Sequence, residues 1–294
     1  EVLYDESRPS VEHAVLMLYF PLHAEAAALQ VQILLEAVGI GDYGIQEKQV
    51  AKTDYLLAYQ EHYRSFRISR RLVIVPSWEK ESIELSQFRS AKLSDQIEAA
   101  EAAEAAEALN EAEADAEFDL LALYLDPGLA FGTGKHPTTE LCLQFLDDLK
   151  PNGMRIVDAG AGSGILSLGA LLLGARSVFA FDIDGNALTA MRQNLRMNCP
   201  PLVEGQLSAH HGGFDLPELE RELEHADLLL GNITAGVILQ NQNVIMSGSH
   251  RRMALSGILS EQSDRVVEAF QPAWRLNRML TNDGWVLLDM ERVS

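Results

Sequence analysis

Two rhythms of apolar and polar residues divide the 294-residue chain. From position 154 onward, short apolar runs alternate with segments whose apolar positions recur every three or four residues. MRIVDAG (154–160), SVFAFDID (177–184), GQLSAHH (205–211), ADLLLGN (226–232) and RMALSGIL (252–259) read as strands. ILSLGALLLGA (165–175), NALTAMRQNLRMN (186–198), GVILQNQNVIM (236–246) and EQSDRVVEAF (261–270) read as helices. Strands apolar on both faces, alternating with helices, predict a parallel sheet covered on both sides. WRLNRML (274–280) and WVLLDME (285–291) flank TNDG. Asp-Gly between two apolar runs is a hairpin signal, so the sheet is expected to end in an antiparallel pair.

The earlier part of the chain has a different organisation. HAVLMLYFP (13–21) and YGIQEKQV (43–50) read as strands around a helix, HAEAAALQVQILLEAVG (23–39), closed by Gly39. This predicts a small α+β unit over residues 1–58. A connector follows over 59–118, with a strand from Leu72 to Val75 and the cations Arg64, Arg67, Arg70 and Arg71, read as a solvated face. Its last part, Ser94 to Phe118, carries nine acidic residues and no basic ones. Glu98, Glu101, Glu104 and Glu107 recur among alanines, which favour helix, but like charges repel and no apolar stripe is offered for docking. The tract is read as a solvated linker, helical or disordered. Residues 119–294 form the expected main domain.

Composition narrows the function classes. At 47% hydrophobic residues the chain can bury a sizeable core. Its longest apolar run, Ile165 to Ala175, is interrupted by Ser167, Gly169 and Gly174 and falls short of the ~20 residues of a membrane helix. No membrane association is expected. The chain begins with Glu1 and shows no signal-peptide pattern, and an upstream segment is expected to be missing. Cys142 and Cys199 offer neither metal spacing nor a disulfide framework, which fits a reducing compartment, the cytoplasm. A formal charge of −20 argues against direct nucleic-acid binding and favours a basic partner.

Chemistry concentrates at the carboxyl ends of the predicted strands. DAGAGSG (158–164) joins the first strand to its helix. Glycines at 160, 162 and 164 permit a tight turn and close approach of a ligand to backbone. The next strand ends at Asp182, where a carboxylate can accept hydrogen bonds from both hydroxyls of a ribose. The loop is G-x-G-x-G, without the G-x-G-x-x-G spacing that aims a helix at a pyrophosphate, which favours S-adenosyl-L-methionine (AdoMet) over a dinucleotide. GNITAG (231–236) puts Asn232 at the end of a further strand. DPGLAFGTGKHPTTELC (126–142) is dense in glycine, proline and threonine. No strand is read before it, and His136 stands where a phosphate loop needs Ser or Thr. It is read as a lid, with Pro137 starting a helix whose first turn holds Thr139. His136 suits a hydrogen bond inside the turn as well as a catalytic role.

LDPGLAFGTGKHPTTELCLQFLD, VDAGAGSGILSLGA, FDIDGNAL, GNITAG and LSGIL resemble, in this order, the motifs of the PrmA family, which methylates ribosomal large-subunit protein eleven. The resemblance runs from about Phe66 to the carboxyl end. A lysine methyltransferase of the electron-transfer flavoprotein β subunit shares the core motifs and is the alternative, together with a non-catalytic AdoMet-binding relative. The resemblance implies a seven-stranded, Rossmann-like class I methyltransferase sheet with a small, incomplete α+β amino-terminal domain, ferredoxin-like in the family. It also implies AdoMet as cofactor, protein eleven as partner and N-methylation of lysine or terminal amines. Carried over by position, Thr139, Gly160, Gly162, Asp182 and Asn232 bind AdoMet, Phe131 and Gly132 line its pocket, and Asn232 also positions the acceptor amine. The chain departs from the family at Ala161, typically Cys, and at Thr234, typically Leu.

Overall fold

A computed structural model describes residues 63–88, 119–126, 134–202 and 204–293. All of them fall in the unit Gln60–Ser294. The expected α+β segment 1–58, the acidic tract 94–118 and the stretch 127–133 lie outside the described residues.

Three strands open this unit: β1 (Phe66–Arg67), β2 (Leu72–Pro76) and β3 (Leu121–Leu125). β1 is antiparallel to β2, and β2 runs parallel to β3 with Leu72 opposite Leu121. β3 corrects the sequence reading in which no strand precedes the Gly-rich loop, since it ends one residue before Asp126. Its five residues carry too little pattern alone, and its pairing partner lies far earlier in the chain.

The rest alternates as expected: α1 (Pro137–Leu149), β4 (Arg155–Ala159), α2 (Ile165–Leu172), β5 (Ser177–Asp182), α3 (Gly185–Met197), β6 (Leu207–His211), α4 (Leu219–His225), β7 (Leu228–Asn232), α5 (Ala235–Gln240), α6 (Gln242–Ser247), β8 (Arg252–Leu259), α7 (Ser263–Phe270), β9 (Trp274–Asn282) and β10 (Trp285–Arg292). The seven-stranded sheet has the order β6-β5-β4-β7-β8-β10-β9. Strands β4 to β8 are parallel, and β10 inserts antiparallel between β8 and β9. The β9–β10 turn has Asp283 and Gly284 at φ 47° and 74°. Two positive φ values define the primed turn whose twist matches paired strands.

Two elements differ from the pattern. The segment read as one helix over 236–246 breaks at Asn241, whose amide donates to the Val237 carbonyl at 2.8 Å and competes with the helical ladder. Helix α4 has no clear counterpart in the apolar pattern: in LERELEH only Leu219 and Leu223 are buried, a stripe too short to stand out.

The parallel strands are covered on both sides. Val157, Phe179, Leu229, Leu255 and Val286 join one core with Phe270 and Trp274. Ile156, Asp158, Val178 and Leu230 alternate with them and are also buried. On this second side α2 packs on both α1 and β3: a Cβ on Gly169 would meet Leu143 at 2.5 Å and Leu123 at 3.8 Å.

The connector is pinned by charge. Buried Asp147, on α1, accepts from Arg71 Nε at 2.6 Å, Ser69 Oγ at 2.6 Å and the Arg71 amide at 2.8 Å. Arg67 donates to the carbonyls of Ser69, Arg70 and Phe88. The reading of these arginines as a solvated face is therefore corrected at Arg67 and Arg71, which staple backbone instead. Removing Asp147 leaves the buried Ser69 hydroxyl and the partly exposed Arg71 guanidinium without their acceptor, so Asp147→Ala should lower stability by about 2 to 3 kcal/mol in urea unfolding, more than a surface pair. A loss below about 1 kcal/mol would show the staple to be ornamental.

Buried His250 sits beside Arg292, and burial, then that positive charge, push its pKa down to about 4. The unfolded chain, titrating near 6.5, takes the proton first as pH falls. The stability tied to neutral His250 is thus present above pH 6.5 and lost on the way to pH 4, about 3 kcal/mol in all. His250→Gln should remove this component, so the stability difference between wild type and variant should grow with pH across that window. A pH-independent difference would contradict the assignment.

Candidate functional site

The carboxyl edge of the parallel strands gathers the sequence-predicted residues. Gly160, Gly162 and Gly164 all have positive φ, at 71°, 54° and 79°. A side chain at 160 would overlap the γ-methyl of Ile233, and one at 164 would meet Met191 at 2.6 Å. The amides of Gly160 and Ala161 both donate to the Phe181 carbonyl, at 2.9 and 3.1 Å, folding the turn against β5. Asp182 ends β5, and its carboxylate accepts from the Gly162 amide at 2.8 Å and the Asp184 amide at 2.9 Å. A carboxylate has about four acceptor sites, so two remain for a ligand. Ile183 follows, 79% exposed.

Asn232 ends β7, half-buried opposite Ser256 of β8. The Ile233 amide donates to the Ser256 carbonyl at 3.1 Å. Gly257 explains the glycine of LSGIL: its φ is 80°, and a Cβ there would lie 2.5 to 2.9 Å from the Ile233 backbone. Thr234 stands exposed before α5, and Ala161 is buried in the turn.

Thr139 is buried in the first turn of α1. His136 caps that helix: Nδ1 accepts from the Thr138 amide at 3.3 Å and lies 2.8 Å from its hydroxyl, while the ring meets Trp285 edge-on at 5.0 Å. The cap is a structural role for His136. Phe131 and Gly132 lie outside the described residues.

Several supporting residues escaped the sequence reading. Asn194, buried in α3, donates to the Ser163 carbonyl at 2.8 Å and accepts from the Asp126 amide at 3.0 Å, joining the glycine turn to the root of the Gly-rich loop. One turn later Asn198 accepts from the Tyr124 amide at 3.0 Å and donates to its carbonyl at 2.8 Å. The two side chains serve the edge of β3 as a neighbouring strand would. Their signal was present in sequence, as two asparagines at i and i+4 in register with the apolar stripe of an amphipathic helix.

Asp158 lies buried at the second position from the end of β4. Ser167 Oγ donates to Oδ2 at 2.5 Å, while Oδ1 has no partner. Burial pushes its pKa up to about 6, against the Ser167 hydrogen bond, and the nearby Asp182 charge raises it further. Cys142 is also buried, and burial pushes its thiol well above the ordinary range, which leaves it no nucleophilic role. Among the described residues no cluster of His, Cys, Asp and Glu could hold a metal, and no helix is long and apolar enough to cross a membrane.

A parallel sheet with an antiparallel β9–β10 end, a left-handed glycine turn and an acidic strand end define the Rossmann-like methyltransferase class. Residues 96–293 match the family model described as ribosomal protein L11 methyltransferase (PrmA). The Pseudomonas putida W619 protein named ribosomal protein L11 methyltransferase is 35% identical over 251 residues, 84% of this chain and 71% of that one. The Pseudomonas fluorescens SBW25 protein of the same name is 33% identical over 289 residues, 97% and 83% of the two chains. A crystal structure of the ribosomal protein L11 methylase of Lactobacillus delbrueckii subsp. bulgaricus, 25% identical, superposes with a TM-score of 0.58 over 78% of this chain and 99% of its own. The chain belongs to the ribosomal protein L11 methyltransferase family.

AdoMet is the cofactor of this class, and the edge suits it. The glycine turn packs directly against Ile233 and Met191, at positions where any side chain would intrude. Asp158 and Asp182 raise the negative potential that a sulfonium cation relieves and a pyrophosphate would worsen.

Asn194→Leu should remove the donor to the Ser163 carbonyl and the acceptor of the partly buried Asp126 amide. The expected cost is about 2 to 5 kcal/mol, together with weaker AdoMet binding, read by urea unfolding and calorimetry. Unchanged stability would show that the bridge is not felt.

Proposed function

We propose that this chain transfers the methyl group of AdoMet to amines of ribosomal protein L11, its lysine side chains and its terminal α-amine. The observation that carries the reading is the juxtaposition of Asn232-Ile233-Thr234 with the glycine turn, Ile233 filling the space above Gly160. An acceptor arriving at the end of β7 then meets a cofactor held by β4 and β5. The names of the relatives favour the ribosomal protein over the flavoprotein subunit as acceptor. Such a substrate places the reaction in the cytoplasm.

Thr139, Gly160 and Gly162 hold the amino-acid portion of AdoMet, and Phe131 and Gly132 complete its pocket. Asp182 takes the ribose hydroxyls through its two spare acceptor positions, and exposed Ile183 offers an apolar face to the base. When bound, AdoMet supplies a methyl group on a sulfonium leaving group that needs no further activation. The protein's task is alignment, holding the amine about 3 to 3.5 Å from the methyl carbon and in line with its bond to sulfur. Asn232 can accept a hydrogen bond from an amine N–H, which orients the nitrogen lone pair, but it cannot take the proton. A lysine with an ordinary pKa near 10.4 must lose its proton first, at a cost of roughly 4 kcal/mol at neutral pH, and the proton leaves to water. A terminal amine near 7.7 to 8.0 needs far less.

Incubation with labelled AdoMet and purified L11, followed by mass-spectrometric mapping, tests the reading. Label on L11 amines is expected, and AdoMet binding without transfer would overturn it. Asp182→Ala should weaken AdoMet binding by tenfold or more, about the worth of one charge-assisted hydrogen bond.

The raised pKa of Asp158 adds a pH signature. Below pH 6 its charge is lost while the sulfonium keeps its own. AdoMet affinity should fall roughly tenfold between pH 7.5 and 5, the effect of about 1.4 kcal/mol of attraction, and should be flatter in Asp158→Asn. Equal pH profiles for both proteins would exclude this contribution.

A further inference from the structure

A second concavity lies beside the cofactor residues. Arg64 to Ile68, on and around β1, and Gly134, Lys135 and Glu140, at the start of α1, enclose about 400 Å³. This is the small end of the roughly 300 to 1,000 Å³ of ligand pockets. Its lining adjoins the helix that follows the glycine turn. A Cβ on Gly134 would touch Ile165, the residue after that turn, at 3.2 Å, and Glu140 directly follows Thr139. On the other side Glu140 accepts from Asn282, beside the β9–β10 turn, at 3.1 Å.

The charge of the cavity runs against that of the chain. The whole protein carries −20, but among the described residues that line the cavity three of eight are cations. Arg67 is fixed by its bonds to three carbonyls, which orient its guanidinium without altering its charge. Arg64 is 66% exposed at the rim, 3.3 Å from Glu79. That carboxylate also accepts from the Ser65 amide and hydroxyl, at 3.0 and 2.5 Å. Lys135 is exposed, its ammonium 4.8 Å over the Tyr63 ring, with no salt bridge to a described carboxylate. Glu140 forms the opposite wall, accepting from Gln144 and Asn282, and burial raises its pKa.

We propose that this cavity is a docking subsite for an acidic side chain of the methyl-accepting protein, which sets how that protein is presented to Asn232. The inference rests on the methyltransferase reading above. A carboxylate on a polypeptide is a single charge, and within a Debye length of about 8 Å the local cations decide its fate. A nucleic-acid backbone is a polyanion and would meet the repulsion of the entire −20 surface. The arrangement thus separates two tasks. The net negative charge draws in a basic protein from a distance, and the cationic cavity selects the orientation in which one of its acids faces this rim.

The test uses the full chain with purified L11 and AdoMet. Arg64→Ala, Lys135→Ala and the double variant alter exposed side chains, and their thermal unfolding should match wild type. In the double variant KM for L11 should rise about tenfold, with kcat and the calorimetric AdoMet affinity within twofold of wild type. Lys135→Glu should raise KM further, and the increase should shrink at high salt. An unchanged KM overturns the proposal while leaving the methyltransferase reading intact. Weakened AdoMet affinity at constant KM also overturns it, and assigns the cavity to the carboxylate of the cofactor. Absence of transfer by wild type would remove both readings together.

Discussion

Ile233 is the residue on which the site closes. Its side chain occupies the space a Cβ would need at Gly160, and its backbone occupies the space a Cβ would need at Gly257. Two glycines with positive φ, one in the turn after β4 and one within β8, therefore converge on one isoleucine just past the end of β7. Such close approach is possible only where no side chain intervenes, and left-handed backbone is tolerated best by glycine. The turn after β4, the end of β7 and the bend in β8 are set against one another by this contact. Asn232, the neighbour of Ile233, inherits its position from them. A methyl donor and an acceptor amine need alignment to within fractions of an ångström, and a packed wedge delivers that better than a mobile loop.

The order of the strands then lays out the ligand. Along the edge β7, β4, β5, β6 the structure presents Asn232, the glycine turn, Asp182 and His211. Neighbouring strands are about 4.8 Å apart, so the four ends span about 14 Å, long enough for an amino acid and a nucleoside joined through sulfur. Charge agrees with this arrangement, because two carboxylates near the middle favour a cation there. Behind the edge, Asn194 and Asn198 fasten the Gly-rich loop and β3 to α3. Helix α3, which starts three residues after Asp182, is thereby tied to the glycine turn and to β3.

Much of this was legible in the sequence, and what was not shares one cause. β8 runs over the same residues that the apolar pattern delimits, and Asp-Gly in TNDG forms the primed turn it signals. Gly160, Asp182 and Asn232 fall at strand ends, where local pattern suffices to put them. The misses depend on distant partners. β3 becomes a strand because β2 offers it an edge. Arg71 stops being a surface cation because Asp147, 76 residues away, is buried against it. Asn194 and Asn198 stand in register with the apolar stripe of α3, but the backbone they serve lies 31 to 74 residues away and only the fold supplies it. Phe131, Gly132 and the amino-terminal unit fall outside the described residues.

The mouth of the site rests on much lighter structure than its floor. Helix α5 has six residues, ends at the break caused by Asn241, and exposes Gly236 and Val237 in its first turns. Thr234 is exposed just before it. Substitutions here disturb neither the glycine wedge nor the sheet, so they carry little penalty in stability. On the proposed reading, acceptor preference can therefore be altered here without disturbing the donor side. The fold separates what selection must hold constant from what it is free to explore.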